Sequence, residues 1–222
     1  MNLLVTRPEP GASATAARLT ALGHEVMLMP CLTITQVSAR LPPHPAALVV
    51  TSGQAVPALP ARLHHVPVFC VGDATAAKLR LAGFTCVESA NGDAEALTRL
   101  VIARNVPGLH VLATGERLGQ KLATALRQAG LPVLRRKMYK VSQLKTMPEA
   151  MRIALETGCF DGVLFYSAET AQAFARLNPP GTARLHAYAL SPAIEKKLQA
   201  LPWRAIHVAC APTEADLMAL LA

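Results

Sequence analysis

Hydroxyl and glycine residues follow most of the short apolar runs of this 222-residue chain, where each run gives way to an amphipathic stretch. If the runs are parallel strands, their carboxyl ends meet at the edge where open α/β sheets bind ligands. Helix N-termini at such an edge carry unpaired N–H groups and partial positive charge, so the edge favours carboxylate or phosphate. The residues concerned are Thr6, Thr51, Ser52, Gly72, Asp73, Thr114, Gly115, Ser167 and Ser191.

Each of these hydroxyls also has a simpler explanation, because Ser, Thr and Asp are the residues that cap helix N-termini. At any single position, capping is the better interpretation. Taken together, two such edges that face each other across a cleft would suit a large polyanion. The sequence therefore predicts a binding site for an anionic ligand.

Tyr139 is the candidate for proton transfer. It lies in the segment Arg135–Val141, in which four of the seven residues are Arg or Lys, and nearby cations favour the ionised form of a phenol. A phenol at the mouth of a cleft could donate a proton to a leaving hydroxyl group. The alternative is that a lone tyrosine in a strand packs in the core.

The sequence lacks the motifs of several other enzyme classes. The turn after the first strand, Thr6–Gly11, is not the Gly-x-Gly-x-x-Gly of dinucleotide enzymes, and no triphosphate-binding loop motif occurs. No Gly-x-Ser-x-Gly nucleophile motif is present. The seven histidines and five cysteines have no metal-ligand spacing. We therefore expect free thiols, no metal and no nucleotide cofactor.

The elements that must position these residues alternate along the chain. Short runs of Val, Leu and Ile take turns with Ala-rich amphipathic stretches, which is typical of a parallel sheet flanked by helices. Gly23, Gly83 and Gly130 are placed to end helices. The predicted strand and helix pairs include Leu3–Val5 with Ser13–Leu22, Leu48–Val50 with Gln54–Leu63, Val66–Val71 with Ala74–Leu81, Val111–Ala113 with Gly119–Gln128, and Val163–Phe165 with Ala168–Leu177.

Two longer segments predict how the chain divides. Glu25–Val37 and Val133–Leu144 both look extended over ten or more residues, about twice the usual length of a strand. Paired with each other, they would form a two-stranded tether between two domains. A single doubly wound domain is the alternative. The predicted parts are a discontinuous first domain of residues 1–34 and 146–222, a second domain of residues 41–132, and a tether of residues 35–40 and 133–145.

Composition indicates an anionic partner. The formal net charge is +8, which suits nucleic acid, a membrane surface or a small polyacid. The largest basic cluster is only Arg135–Lys137, so a nucleic-acid partner is not expected. No apolar run approaches the ~20 residues of a membrane span, and no signal peptide is recognised. We expect a cytoplasmic protein with no membrane partner.

The order and spacing of several short motifs resemble those of the uroporphyrinogen-III synthase family over essentially the whole chain. Each motif is a weak signal when taken alone. Their common order and spacing make the resemblance strong. The matching segments are Leu4–Pro8, Val49–Val56, Val71–Ala76, Gly92–Leu97, Tyr139, Phe165–Ser167 and, more loosely, Pro212–Leu217.

The resemblance implies an α/β fold with two domains, each a parallel sheet flanked by helices, joined by a two-stranded β-ladder. It implies a monomeric, cofactor-free lyase that acts on hydroxymethylbilane, a linear chain of four pyrroles with acetate and propionate arms. The product is uroporphyrinogen III plus water, formed with inversion of the terminal pyrrole, in haem biosynthesis. A non-catalytic, two-lobed binding protein for a small polyanion is the alternative function.

The same resemblance assigns roles to residues. Tyr139 would act as general acid for departure of the terminal hydroxyl, a role typically worth ~10²–10⁴-fold in rate. The other residues would hold substrate carboxylates, so that the terminal pyrrole attacks through its substituted position. These implied binding residues are Thr6, Arg7, Thr51, Ser52, Gly72, Thr75, Thr114, Gly115, Arg117, Ser167 and Ser191.

The chain departs from the family pattern in two places. Many members have an Arg-Gly-Asn…Arg-Glu element where this chain has Thr114–Gln120, so that only Arg117 is present and it is displaced. The late Gly-x-x-Thr-Ala turn is replaced by Ser191–Glu195, which leaves Ser191 as the obvious donor. A carboxylate contact at either place must be lost or rebuilt.

Overall fold

A computed structural model describes residues 1–221 and divides the chain into two compact units. Unit 1 contains Met1–Thr33 and the chain from Ser142 onward, and unit 2 contains Ile34–Val141. The strands are β1 (Asn2–Val5), β2 (Glu25–Leu28), β3 (Leu32–Gln36), β4 (Ala47–Val50), β5 (Val68–Cys70), β6 (Val87–Ser89), β7 (His110–Gly115), β8 (Val133–Gln143), β9 (Gly162–Phe165), β10 (His186–Ala189) and β11 (Ala205–Val208). The α-helices are α1 (Gly11–Ala21), α2 (Asp73–Leu81), α3 (Ala94–Arg104), α4 (Gln120–Gln128), α5 (Glu149–Glu156), α6 (Ala168–Arg176), α7 (Pro192–Leu198) and α8 (Glu214–Ala219).

Unit 1 is built on a parallel sheet with the strand order β11-β10-β9-β1-β2. One face packs against α1 and α8, through Leu19 of α1 and Leu217 of α8, both of which are fully buried. Helices α6 and α7 pack together, and the rings of Phe165 and Phe174 meet edge to face. The interior strand β1 is apolar and buried at Leu3–Val5, as expected for a parallel strand covered on both faces.

Unit 2 is built on a sheet with the order β3-β8-β7-β4-β5-β6. From β8 through β7, β4 and β5 to β6, each strand runs parallel to the next. Helix α2 packs on one face through Leu79, and α3 and α4 pack on the other through Leu97 and Leu126. All four residues of β4 are buried. The predicted fold class, α/β with parallel sheets flanked by helices, is confirmed.

The first long extended segment is two strands, so the prediction of one continuous strand over Glu25–Val37 is wrong. Strand β2 belongs to the sheet of unit 1 and β3 to that of unit 2. Between them, Met29 and Cys31 still donate backbone hydrogen bonds to β1 and Thr6, while Pro30 has no N–H to donate. The chain therefore leaves the first sheet after Cys31.

A predicted helix is also corrected. The stretch Gln54–Leu63 forms two short 3₁₀ turns, Gly53–Ala58 and Ala61–Leu63. The physical reason is proline, since Pro57 and Pro60 lack the N–H that an α-helix would need at these positions.

Strands β3 and β8 are neighbours in the sheet of unit 2, and the boundary between the two units falls within both strands. The Val37 N–H donates to the Met138 carbonyl, and the Leu144 N–H donates to the Cys31 carbonyl. Residue numbers rise along one strand as they fall along the other, so the pair is antiparallel. On its other side, β8 pairs with β7 from Val133 to Tyr139.

His110 is a buried histidine with one unpaired nitrogen. Its side chain is fully buried at the start of β7, its Nδ1 lies 3.1 Å from the Gly108 carbonyl oxygen, and its Nε2 has no partner within residues 1–221. Burial lowers the pKa of His110. A lowered pKa means that the unfolded chain binds a proton more readily than the folded chain, so this histidine destabilises the fold as pH falls below about 6.5.

We predict that the free energy of unfolding falls between pH 7.5 and pH 5, and that His110→Leu reduces this dependence. Urea unfolding at the two pH values measures it. His65→Leu, at an exposed position of unit 2, is the matched control and should keep the wild-type dependence. An unchanged pH dependence in His110→Leu would show that the buried imidazole does not titrate in this range.

Candidate functional site

In unit 2 the candidate residues lie where the strand order reverses. The chain passes from β4 to β5 on one side and later places β7 on the other side of β4. The crevice at the carboxyl ends of such a strand pair is the usual ligand site of an open α/β sheet. Thr51 follows β4 and Thr114 lies near the end of β7, and the Thr51 hydroxyl donates to Thr114 Oγ1 at 3.1 Å. The structure therefore brings these two predicted residues together.

Three further predicted residues follow β4 and β5 at the same edge. Ser52 Oγ accepts a hydrogen bond from the Gln54 N–H at 3.3 Å, so it acts as a cap. Gly72 precedes α2, and a side chain added there would meet no atom within 4 Å. Thr75, in the first turn of α2, is 7% exposed. The edge thus has open space above Gly72 and a helix N-terminus beside it.

Tyr139 reaches this edge through an irregularity in the pairing of β7 and β8. Thr114 pairs with Lys137 but Gly115 pairs with Tyr139, so Met138 is the extra residue of a β-bulge. Bulges occur often beside active sites, where they redirect side chains. Here the bulge buries both Met138 and Tyr139, and Tyr139 is only 3% exposed.

The Tyr139 ring covers Gly115. A Cβ added to Gly115 would lie 2.9 Å from Cε2 and Cζ of the ring and 3.0 Å from the hydroxyl oxygen. Real side chains do not tolerate such contacts, so only glycine leaves room for the phenol. The hydroxyl of Tyr139 therefore lies at the carboxyl end of β7.

The cations beside Tyr139 contact the loop that follows β7. Arg135 donates to the carbonyl oxygens of Glu116 at 2.6 Å and Leu118 at 2.8 Å, and Lys137 pairs with the Glu116 carboxylate at 3.8 Å. Arg117 lies in this loop and is exposed. The influence of these cations on ionisation of the phenol stays a prediction.

In unit 1, the hydroxyl groups of two predicted binding residues make hydrogen bonds within the fold. Thr6 is fully buried and donates to the Leu164 carbonyl at 2.8 Å, which links β1 to β9. Ser167 caps α6, because its Oγ accepts from the Thr170 N–H at 3.1 Å. Ser191 precedes α7, is half-buried and makes no capping hydrogen bond with its side chain. The geometry favours a positioning role for Thr6 and leaves the Ser191 hydroxyl available.

Arg7 is surrounded by residues that the sequence did not single out. Its Nη1 donates to Thr15 Oγ1 at 3.0 Å and to Glu214 Oε1 at 3.3 Å. Its guanidinium carbon lies 4.0 Å from the centre of the Tyr166 ring, as in a cation–π contact. Arg18 forms a second ion pair with Glu214. Arg7 therefore has three partners, and one of them, Glu214, also pairs with Arg18.

Tyr166 completes this group as a neutral donor. Its hydroxyl donates to Glu214 Oε1 at 3.3 Å, and Thr15 Oγ1 donates to the same oxygen at 3.0 Å. Burial is the main cause that raises the pKa of Tyr166, which keeps the phenol protonated at neutral pH. The group lies at the carboxyl ends of β1 and β9, where the strand order of this sheet reverses.

Sequence reasoning missed Thr15, Tyr166 and Glu214. The sequence offered weak evidence for two of them. Tyr166 is next to the candidate Ser167, and Glu214 lies within the loosely matching segment Pro212–Leu217. The sequence did not indicate that these residues lie close together in the fold, since Arg7 and Glu214 are 207 residues apart. Only the fold places them together.

The family model for uroporphyrinogen-III synthase HemD matches residues 13–219 of the chain. The chain belongs to the uroporphyrinogen-III synthase family. The resemblance predicted from the motifs is confirmed. The predicted function is confirmed as well: the reaction is cyclisation of hydroxymethylbilane in haem biosynthesis, by a cyclising lyase. The non-catalytic alternative is not favoured.

Solved structures support the fold. The uroporphyrinogen-III synthetase from Helicobacter pylori 26695 matches with a TM-score of 0.68 and 17% identity, over 100% of this chain and 98% of that chain. A mutant uroporphyrinogen III synthase from the extremely thermophilic bacterium Thermus thermophilus matches with a TM-score of 0.58 and 17% identity, over 100% of this chain and 97% of that chain. No curated protein sequence matches the chain.

Among residues 1–221, no group of three or more His, Cys, Asp or Glu side chains could hold a metal ion. None of the helices formed by these residues has the length and apolar character that crossing a bilayer requires.

For this member of the uroporphyrinogen-III synthase family, we predict that Gly115→Ala lowers the rate of uroporphyrinogen III formation severalfold. The added methyl group must displace the Tyr139 ring, and such overpacking typically costs about 1–3 kcal/mol of stability. Initial rates and thermal unfolding of the purified variant measure both effects. If Gly115 acts through Tyr139, Gly115→Ala and Tyr139→Phe should combine less than additively. Full additivity, or an unaffected rate in Gly115→Ala, would contradict this link.

Proposed function

We propose that the protein closes hydroxymethylbilane to uroporphyrinogen III by holding substrate carboxylates at the carboxyl edges of its sheets, while Tyr139 assists departure of the terminal hydroxyl. The match of the family model over residues 13–219 carries this proposal. The position of the Tyr139 ring over Gly115, beside the Thr51 and Thr114 pair, supports it.

In the proposed reaction, Tyr139 donates its proton to the oxygen of the terminal hydroxymethyl group. The C–O bond breaks and water leaves, while electrons from the pyrrole nitrogen form an azafulvene. The terminal pyrrole then attacks through its substituted carbon to give a spiro intermediate. The bond from this carbon to its original methylene bridge breaks, and that methylene forms a new bond to the free α-carbon of the ring, which inverts the ring. The inverted ring loses one proton as aromaticity returns, which can restore the phenol. The sum is loss of one water.

The protein's main task is to choose between two ring closures. The free substrate closes without inversion, so binding must favour attack through the hindered position. Thr51 and Ser52 are half-buried hydroxyls at the crevice of unit 2, and the first turn of α2 offers N–H groups beside the open space at Gly72. These donors, with Arg117, are the proposed carboxylate ligands of this sheet.

We further propose that the protein acts as a cytoplasmic monomer, with no cofactor and no nucleic-acid partner. Its basic residues are spread along the chain, and the largest cluster, Arg135–Lys137, contacts its own loops. A dispersed positive charge suits a small polyacid better than a nucleic-acid groove.

The decisive experiment is an isomer assay. Hydroxymethylbilane generated enzymatically is mixed with the purified protein, and the products are oxidised and separated as porphyrin isomers. We expect the product to shift from the type I to the type III isomer. An isomer ratio equal to that of the protein-free reaction would overturn the catalytic proposal, and binding without a shift would restore the alternative of a simple binding protein.

We predict that Tyr139→Phe lowers the rate of isomer III formation severalfold, because the ring remains while the proton donor is lost. Thermal unfolding should show that the fold is retained. Tyr188→Phe is the matched control: Tyr188 is also a buried tyrosine, 4% exposed, but it packs in the core of unit 1. Full activity of Tyr139→Phe would show that Tyr139 is not the proton donor and only packs in the core.

A further inference from the structure

Unit 1 has a second group of polar side chains, at the amino edge of its sheet and so at the opposite end of the strands from Thr6 and Ser191. His186 begins β10 and pairs with Gly162 of β9 and Ala205 of β11. The residues just before these two partners therefore lie beside His186 at the same edge. Together with their neighbours they line a cavity of about 360 Å³, the amino-edge pocket, whose residues are Met1, Phe160, Asp161, Arg184, His186 and Arg204.

Both arginines of the amino-edge pocket keep donors that the fold does not use. Arg184 donates from Nη2 to the Glu156 carbonyl oxygen at 2.5 Å, at the C-terminal end of α5. Within residues 1–221, its Nε and Nη1 donate no hydrogen bond, and the exposed side chain of Arg204 donates none at all. Two guanidinium groups therefore offer N–H groups to a ligand in the pocket.

His186 offers a third donor. Its Nδ1 lies 2.8 Å from Nε2 of His207 on β11, and the two rings stack with their centroids 5.1 Å apart. When His207 supplies the proton between these two nitrogens, the ring proton of His186 is on Nε2. In the described part of the chain this Nε2 has no hydrogen-bond partner, so it can donate to a ligand.

The charge of the pocket depends on the protonation of His186. Burial is the main cause that lowers the pKa of His186, and the charges of His207 and Arg204 lower it further, whereas Asp161 raises it. Tyr188, whose ring stacks on both histidines, stays neutral because burial raises its pKa. With neutral His186, the two arginines and Asp161 leave one positive charge. Protonation of His186 adds a second, which makes a doubly charged anion the matching ligand.

Asp161 does not neutralise the two arginines by direct contact. Its carboxylate accepts a hydrogen bond from the Asn2 N–H at 2.7 Å. Among the residues that the structure describes, it forms no ion pair with Arg184 or Arg204. An internal ion-pair network would be the simpler reason for two arginines at this edge, but the side chains are not paired in that way.

We propose that the amino-edge pocket binds the doubly charged phosphate group of a small molecule, with Arg184, Arg204 and the Nε2–H of His186 as donors. Planar guanidinium groups match the geometry of phosphate oxygens. The volume of the pocket is in the range of small-molecule sites, and Phe160 in its wall can contact an apolar part of a phosphate ester. The pocket lies away from the carboxyl edge of its sheet, so the inference goes beyond the proposed function and does not depend on it.

Sulfate is the first probe, because it has the shape and charge of a phosphate dianion and does not titrate between pH 6 and pH 8. Isothermal titration calorimetry at constant ionic strength should show saturable binding to the wild-type protein. We expect Arg204→Met to raise the Kd about tenfold, as for loss of one charge-assisted hydrogen bond. Arg99→Met removes an exposed arginine of α3 in unit 2. It is the matched control and should keep the wild-type Kd.

Asp161→Asn should have the opposite effect and lower the Kd. The amide oxygen can still accept from the Asn2 N–H, while the repulsion between the carboxylate and the anion is lost. Sulfate should also bind more tightly at pH 6 than at pH 8, because a bound dianion favours the protonated form of His186. His186→Gln should lose most of this pH dependence. Thermal unfolding of each variant checks that the fold is retained.

Competition with sulfate identifies the form of the phosphate group. Tighter binding of phenyl phosphate than of inorganic phosphate would assign the pocket to a phosphate ester, and the reverse order or equal affinity would assign it to the free ion. Absence of saturable sulfate binding to the wild-type protein would overturn the inference. An unchanged Kd in both Arg204→Met and Arg184→Met would overturn it as well.

Discussion

In each sheet, a side-chain hydroxyl makes a hydrogen bond between neighbouring strands at the point where the strand order reverses. The carboxyl ends of two buried strands meet at this point, which is the usual ligand site of an open α/β sheet. In unit 1 the buried Thr6 hydroxyl donates to the Leu164 carbonyl, and in unit 2 Thr51 donates to Thr114. Both bonds use a hydroxyl next to an apolar strand. Helix N-termini lie at the same edges, and their N–H groups make each edge suited to anions.

The sequence was a good guide to elements whose cause is local. Apolar runs identified the central strands, and Gly23 and Gly130 marked helix ends, where both have left-handed φ angles of +84° and +85°. One failure also has a local physical cause, because Pro57 prevents an α-helix over Gln54–Leu63. Proline removes a hydrogen-bond donor, which no hydrophobic pattern reveals.

The candidate site was harder to predict because its geometry arises from distant residues. A strand of alternating pattern would have pointed Met138 and Tyr139 to opposite faces, but the bulge against Gly115 buries both. The partners of Arg7 come from three separate parts of the chain, including Glu214 on α8. The sequence shows that hydroxyl groups, a phenol and an arginine are present. Only tertiary packing decides which of their atoms are already hydrogen-bonded.

The charge of the protein is therefore a poor measure of its capacity to bind an anion. The formal net charge is +8, yet Arg135 is directed at its own loop and Arg7 and Arg18 share Glu214. Paired cations attract a polyacid from a distance but discriminate little between its conformations. Discrimination requires donors that are both unpaired and fixed in place, since only these make the energy of the bound substrate depend on how it is folded. A reaction that must favour one of two ring closures depends on a few such donors rather than on the total charge.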